Sequence, residues 1–143
     1  MIAFENAPPL AAPLRFFLTA PLFGVLAGLL LLGEGEALFA SRWMPGTLAA
    51  THLLTVGFML QVMLGALIQI LPVVAGAHLA QPLRVARVLH AGLSLGALLL
   101  AGGFYLGRPP LLNAAALVLV VSVSYFLWAT LRTLLRVAST SPT

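Results

Sequence analysis

The sequence predicts an all-α integral membrane protein, a bundle of four helices forming a single domain over residues 1–143, and three observations carry that reading. Hydrophobic residues make up 62% of the chain and charged ones 7%, which leaves too little polar surface to cover a water-soluble domain. At about 20 residues per crossing, 143 residues hold four crossings joined by short connections. Clusters of Pro and Gly punctuate the apolar runs at about that spacing.

The elements follow in order. The first span is expected over about 15–32, stopped by Gly33-Glu34-Gly35-Glu36. Its leader, MIAFENAPPLAAP, carries no early positive charge, and no small-residue cleavage site follows it, so this run reads as a retained helix rather than a signal peptide. The second span, about 47–72, follows Pro45-Gly46 and is expected to end at Leu71-Pro72. The third, about 83–106, begins after Gln81-Pro82 and fades at Gly107, and Pro109-Pro110 opens the fourth, about 110–135.

Charge sets the expected orientation. All seven cationic side chains are arginine. Arg15, Arg84, Arg87, Arg132 and Arg136 fall on one side of the spans, while Arg42 and Arg108 share the other with Glu34 and Glu36. The arginine-rich side, with both termini, is expected to be cytoplasmic. Trp43, Phe104 and Tyr105 mark the outer aromatic belt and Trp128 the inner one. In a bacterium such a chain belongs in the inner membrane. Seven scattered arginines in so apolar a chain set topology, and nucleic acid is not an expected partner.

Small residues show where helices are expected to touch. Gly24 with Gly28, Gly57 with Gly65, and Gly92 with Gly96 read as close-packing seams. Counting 100° per residue, Gln61 falls about 180° from His52, so amide and imidazole are expected to face different neighbours. On that count Gly57, Gln61 and Gly65 meet one partner, while His52, Thr55, Met59 and Met63 face another. Gln61 and Gln69 read as interhelical hydrogen-bonding groups, and Met59 and Met63 read more simply as core filler than as ligands.

The chain has no cysteine, which leaves imidazole, carboxylate and thioether as metal ligands. His52 is the leading candidate, either hydrogen-bonded to a neighbouring helix or ligating a metal or haem. Thr51 and Thr55 are candidates to orient the ring from nearby turns. No carboxylate lies within the predicted spans as a proton-relay partner, which argues against a pump. His90 is the second candidate; its face, with Ser94, Ala97 and Ala101, forms a groove for a flat ligand or for another helix. His78 lies in the short loop AGAHLAQP, where a solvated or carbonyl-bonded ring is the default.

The string HLLTVGFMLQVMLGALIQILPVVAG resembles the second-helix signature of the haem-copper oxidase and nitric oxide reductase superfamily, and the four-helix arrangement resembles one arc of its catalytic subunit. In that family's catalytic subunit twelve helices form three pseudo-equivalent arcs of four, with metal-binding histidines on the second helix of each arc near the outer face, and the resemblance implies that this chain corresponds to one arc. His52 matches that location. The resemblance also places Arg108 among arginines that hold haem propionates. The chain departs from the family in having one histidine at that level, with no second one two residues later and no histidine pair for copper. The ligands of an oxygen-reducing binuclear centre are therefore not supplied.

By the span boundaries, His52 and His90 differ in depth by roughly 12 Å, so equal-depth ligands come most readily from symmetry-related copies. The expectation is a homo-oligomer, a trimer before a dimer, holding haem b at its protomer interfaces. His52 is the axial ligand, Met59 and Met63 are pocket wall, and Arg42 or Arg108 are propionate partners. Such a protein would exchange electrons with quinol or a cytochrome, or bind a diatomic gas; if it is an enzyme, it is an oxidoreductase. Two other readings stay open: a metal-free scaffold or channel-like subunit, and copper on a ring of three His52 imidazoles.

Overall fold

The computed structural model describes residues 7–140, and among them every regular element is helical. Four helices are long and apolar enough to cross a membrane. α1 spans Ala11–Glu34 and tightens into a 3-10 turn over Gly35–Phe39. α2 runs over Pro45–Ala75, α3 over Pro82–Tyr105 and α4 over Pro109–Thr140. Large apolar side chains such as Leu18, Leu22, Leu29, Val120 and Leu127 face outward, the surface a hydrocarbon solvent requires.

Proline opens three of the four helices, at Pro45, Pro82 and Pro109, because its missing N–H falls among groups a first turn leaves unbonded anyway. Pro72 does not end α2 as the sequence suggests. The helix absorbs the one lost bond and continues to Ala75, where Gly76 stops it in the left-handed conformation (φ 61°). α1 likewise begins four residues before the expected position, and α4 continues beyond residue 135.

α3 is the most enclosed helix and α4 the least. α3 touches α1, α2 and α4, whereas α4 packs chiefly on α3. The architecture is thus a three-helix unit of α1, α2 and α3 with α4 laid along the outside of α3. Phe16, Ile68, Leu89, Leu93 and Phe126 fill the core toward the arginine-rich end. Toward the other end the core is built on small residues, Ala27, Ala49, Ala97 and Ala101, with Phe23 and Leu53.

Glycine makes two of the three predicted seams. A Cβ on Gly57 would lie 2.3 Å from the Phe23 ring, and one on Gly65 would lie 2.7 Å from Phe16 Cβ, so phenyl rings of α1 sit directly on the α2 backbone. Gly92 and Gly96 receive Ser122 and Leu119 of α4 in the same way. The third pair differs: Gly28 has open space where a Cβ would point, and Gly24 has ordinary contact with Phe58. Both line an open groove of about 410 Å³ between α1 and α2 instead of a seam within the chain.

The hydrogen-bonding pattern of α2 changes midway. Residues 53–60 follow π-helical geometry between the α-helical turns Pro45–His52 and Gln61–Ala75. Bonds of the i→i+5 type widen each turn, so the 100° count fails across this stretch. Gln61 and His52 consequently meet the same neighbour. Gln61 Nε2 donates to Ser94 Oγ of α3 at 3.1 Å, and the His52 ring lies on Phe104 of the same helix. The expectation that they face different helices is overturned.

Gln61 is fully buried, and its Oε1 has no partner within the described residues; the same holds for Oε1 of Gln69. Only Gln61 thus bonds across helices in the way expected of both. A half-paired buried amide predicts a specific double-mutant result. Gln61→Met alone strands the Ser94 hydroxyl, whereas Gln61→Met with Ser94→Ala removes both partners. The double variant is expected to retain wild-type thermal stability in detergent within about 1 kcal/mol, with a coupling of about 0.5–2 kcal/mol across the cycle.

Candidate functional site

His52 closes the first two turns of α2, at the end of the molecule away from the arginine cluster. Three local devices fix that end. Thr47 Oγ1 donates to the Leu38 carbonyl, fastening the start of α2 to the 3-10 turn after α1. Tyr105 Oη donates to Glu34 Oε1 at 2.8 Å, tying α3 to α1. α3 itself ends in a Schellman turn: Arg108 N–H donates to Gly103 O at 2.9 Å and Gly107 N–H to Phe104 O at 3.3 Å, with Gly107 left-handed at φ 59°. This last device holds Phe104 and sets Arg108 one turn from it.

The imidazole of His52 is held from two sides. Its Nδ1 lies 2.7 Å from the Leu48 carbonyl. A carbonyl only accepts, so Nδ1 carries a proton, and in the neutral ring Nε2 is the nitrogen with the lone pair. No group of the described residues hydrogen-bonds Nε2. One ring face lies on Phe104, with centroids 4.6 Å apart and planes inclined by 24°. The ring is half-buried. A backbone carbonyl on one nitrogen that leaves the other as a fixed Lewis base is the usual support of a metal-ligating imidazole.

The other candidates around it distribute unevenly. Thr51 and Thr55 are exposed, and each donates to the carbonyl four residues back, Thr47 O and Thr51 O, at 2.8 Å. The Leu48 carbonyl, and not either hydroxyl, therefore orients the ring within one chain. Met59 and Met63 are 54% and 63% exposed. They are not core filler; they continue a stripe with Thr51 and Thr55 along the outward face of α2. The small-residue interior at this end needs no large thioether to fill it. Arg42 has its guanidinium 5.1 Å from the centre of the Trp43 ring, and Arg108 is exposed. Both stand at the same end as His52.

His90 is committed elsewhere. Its Nε2 shares a 2.8 Å hydrogen bond with Thr19 Oγ1, and its ring meets Phe16 edge-on at 5.3 Å. Ser94 takes the Gln61 amide, and Ala97 and Ala101 are buried in the core, so the small-residue face of α3 is filled by helices and not by a ligand groove. His90 precedes Phe104 by 14 residues, about 21 Å along α3, which separates the two imidazoles in depth. His78 is exposed and donates Nδ1–H to the Gly76 carbonyl at 2.9 Å.

Phe104 and Leu48 are the site residues that sequence reasoning missed. Phe104 was legible only as an aromatic near a membrane boundary, and a carbonyl leaves no mark in the sequence. Among the described residues no three His, Cys, Asp or Glu side chains come together. Comparison with protein-family models, with curated proteins and with solved structures returns no match.

Proposed function

We propose that this chain is a membrane b-type haem-binding protein that works as a homo-oligomer, with haem at the protomer interfaces and His52 Nε2 as axial ligand. One observation carries the reading: Nδ1–H of His52 is bound to its own helix while Nε2 keeps an unengaged lone pair, beside an outward face of α2. The donor set fits the group. A single neutral imidazole supplies the iron ligand, Met59, Met63 and Thr55 offer an apolar wall on the open face, and Arg42 and Arg108 stand at the same end for two carboxylates. When bound, haem supplies a one-electron couple and, with an open sixth position, a site for a diatomic ligand.

The chain's own residues then have defined tasks. Leu48 O fixes the tautomer, and Phe104 covers one face of the ring and prevents it from turning. Thr51 and Thr55 keep their hydroxyl protons on the helix, so their outer surfaces are methyl groups and accepting lone pairs. The wall left open in one chain is closed by the next protomer, and three copies are favoured because the chain resembles one of three pseudo-equivalent four-helix arcs. The arginine-rich end faces the cytoplasm, which sets the haem toward the opposite leaflet, within reach of quinol or a soluble cytochrome.

A metal-free scaffold is the second reading, favoured by the Gln61–Ser94 and Thr19–His90 bonds, which join helices and need no cofactor. Copper would require His52 from several copies. Oxidised and dithionite-reduced visible spectra of the detergent-purified protein, expressed with ample haem supply, test the proposal. A Soret band with sharp reduced α and β bands is expected. A colourless protein overturns it, and metal analysis then decides between copper and the scaffold.

A further inference from the structure

The arginine-rich end contains a cleft of about 420 Å³ where the first turns of α3 meet the last turns of α4. Arg84 lines it from α3 and Gln81 from the position just before that helix, and Tyr125, Trp128, Arg132 and Arg136 line it from α4. Its walls contact one another. Arg132 lies with its guanidinium carbon 4.5 Å from the centre of the Trp128 ring, Tyr125 stacks near Trp128 with centroids 6.4 Å apart, and Arg84 Nη1 donates to Gln81 Oε1 at 3.4 Å.

Two further features bear on what fills it. Glu34 and Glu36, the side-chain carboxylates of the described residues, both sit at the opposite end of the molecule, so among the described residues no acidic side chain lines the cleft that holds Arg84 and Arg132. Deeper along α4 than the cleft's Trp128 and Arg132, Val120, Val121 and Leu127 face outward, each 59–63% exposed. A cationic mouth with an aromatic rim above an apolar slope has the polarity of an interfacial lipid: phosphate at the top, acyl chain below. A planar guanidinium held over an indole also presents its donors in a fixed direction, which suits two phosphate oxygens.

We infer that this cleft is a binding site for the phosphate headgroup of an anionic phospholipid, with Arg84 and Arg132 as the principal phosphate contacts and Trp128 as the rim. It is independent of the His52 site, which lies at the other end of α2 and α3. α4 packs chiefly on α3, so a lipid bridging Arg84 and Arg132 also clamps the least enclosed helix to the bundle.

The test is lipid titration of the detergent-purified full chain, read by native mass spectrometry and by thermal unfolding. The probes are phosphatidylglycerol, phosphatidylcholine and inorganic phosphate. The variants are Arg84→Gln with Arg132→Gln, and a charge-matched pair at the opposite end, Arg42→Gln with Arg108→Gln. Phosphatidylglycerol is expected to bind about tenfold or more tightly than phosphatidylcholine and to raise the unfolding temperature. The Arg84/Arg132 variant should lose that preference, and the opposite-end variant should keep it. Equal binding of the two lipids overturns the inference. So does an equal loss in both variants, which would report bulk charge and not a site. Displacement of phosphatidylglycerol by millimolar inorganic phosphate, with equal thermal protection in its absence, reassigns the cleft to a free phosphate and overturns the lipid assignment.

Discussion

Under the haem proposal, the His52→Ala protein is expected to lose all haem absorption while eluting at the same size as the unsubstituted chain. Its neighbours explain why the two readouts separate. The imidazole is half-buried and spends its one hydrogen bond on the carbonyl four residues back, so removing it costs one local bond and one stacked contact, about 1–2 kcal/mol. The glycine and phenyl contacts that join α1 to α2, and the packing of α4 on α3, are left intact. His90→Ala is the informative partner. It removes the bond to Thr19 and the edge-on contact with Phe16, which lowers thermal stability, yet it lies about 21 Å along α3 from the level of His52 and leaves the spectrum in place. The scaffold reading makes the opposite forecast for His52→Ala: no change in absorption and a weakened oligomer. Size-exclusion elution and the reduced-minus-oxidised spectrum of the two variants distinguish these outcomes.

What the sequence made legible was decided by residues whose effect is local. Pro45, Pro82 and Pro109 each impose a fixed φ and lack a donor, so they mark helix starts wherever they fall. Arg15, Arg84, Arg87, Arg132 and Arg136 gather at one end because the spans alternate in direction. What stayed hidden depended on partners. The run LLTVGFML reads equally well as α or as π geometry, because both bury and expose apolar side chains alike in a bilayer. That ambiguity misdirected the angle from His52 to Gln61 and turned Met59 and Met63 from presumed filler into an exposed stripe. Pro72 misled for a different reason: within one turn of a helix end, the bond it forfeits is too few to stop the chain before Gly76.

The candidate site divides in the same way. His52 stood out because a lone imidazole in an apolar helix requires a partner. That the partner is the Leu48 carbonyl, and that Phe104 covers the ring, depends on the Schellman turn at Gly107 and on the register of α2 against α3. Thr19 carried a usable signal, a hydroxyl in an otherwise apolar stretch of α1, and it answers His90. Gly24 and Gly28 were visible as a pair, but a small residue permits contact without specifying which surface supplies it.

The second large effect is expected at Gly57. A methyl group there would stand 2.3, 2.5 and 2.8 Å from Cδ1, Cγ and Cβ of Phe23, and the last of these is anchored to the α1 backbone, so no rotation of the phenyl ring clears it. Gly57→Ala is expected to cost about 1–3 kcal/mol, and Gly57→Leu to separate α1 from α2. Gly28→Ala supplies the control, since open space surrounds that position and alanine is favoured over glycine inside a helix by up to about 1 kcal/mol. If the seam is as described, Phe23→Ala should rescue Gly57→Leu in part, giving a favourable coupling in a double-mutant cycle measured by thermal unfolding in detergent. Gly57 also lies within the π-helical stretch that turns both His52 and Gln61 toward α3. Moving α2 away from Phe23 therefore disturbs the register on which the imidazole depends. Under the haem proposal, the Gly57→Leu protein should show weakened haem absorption beside its lower stability, whereas Gly92→Ala, which pushes against Ser122 on the far side of α3, should lower stability and leave the spectrum unchanged. Equal spectral loss in both variants would mean that the π register is not what aligns the imidazole.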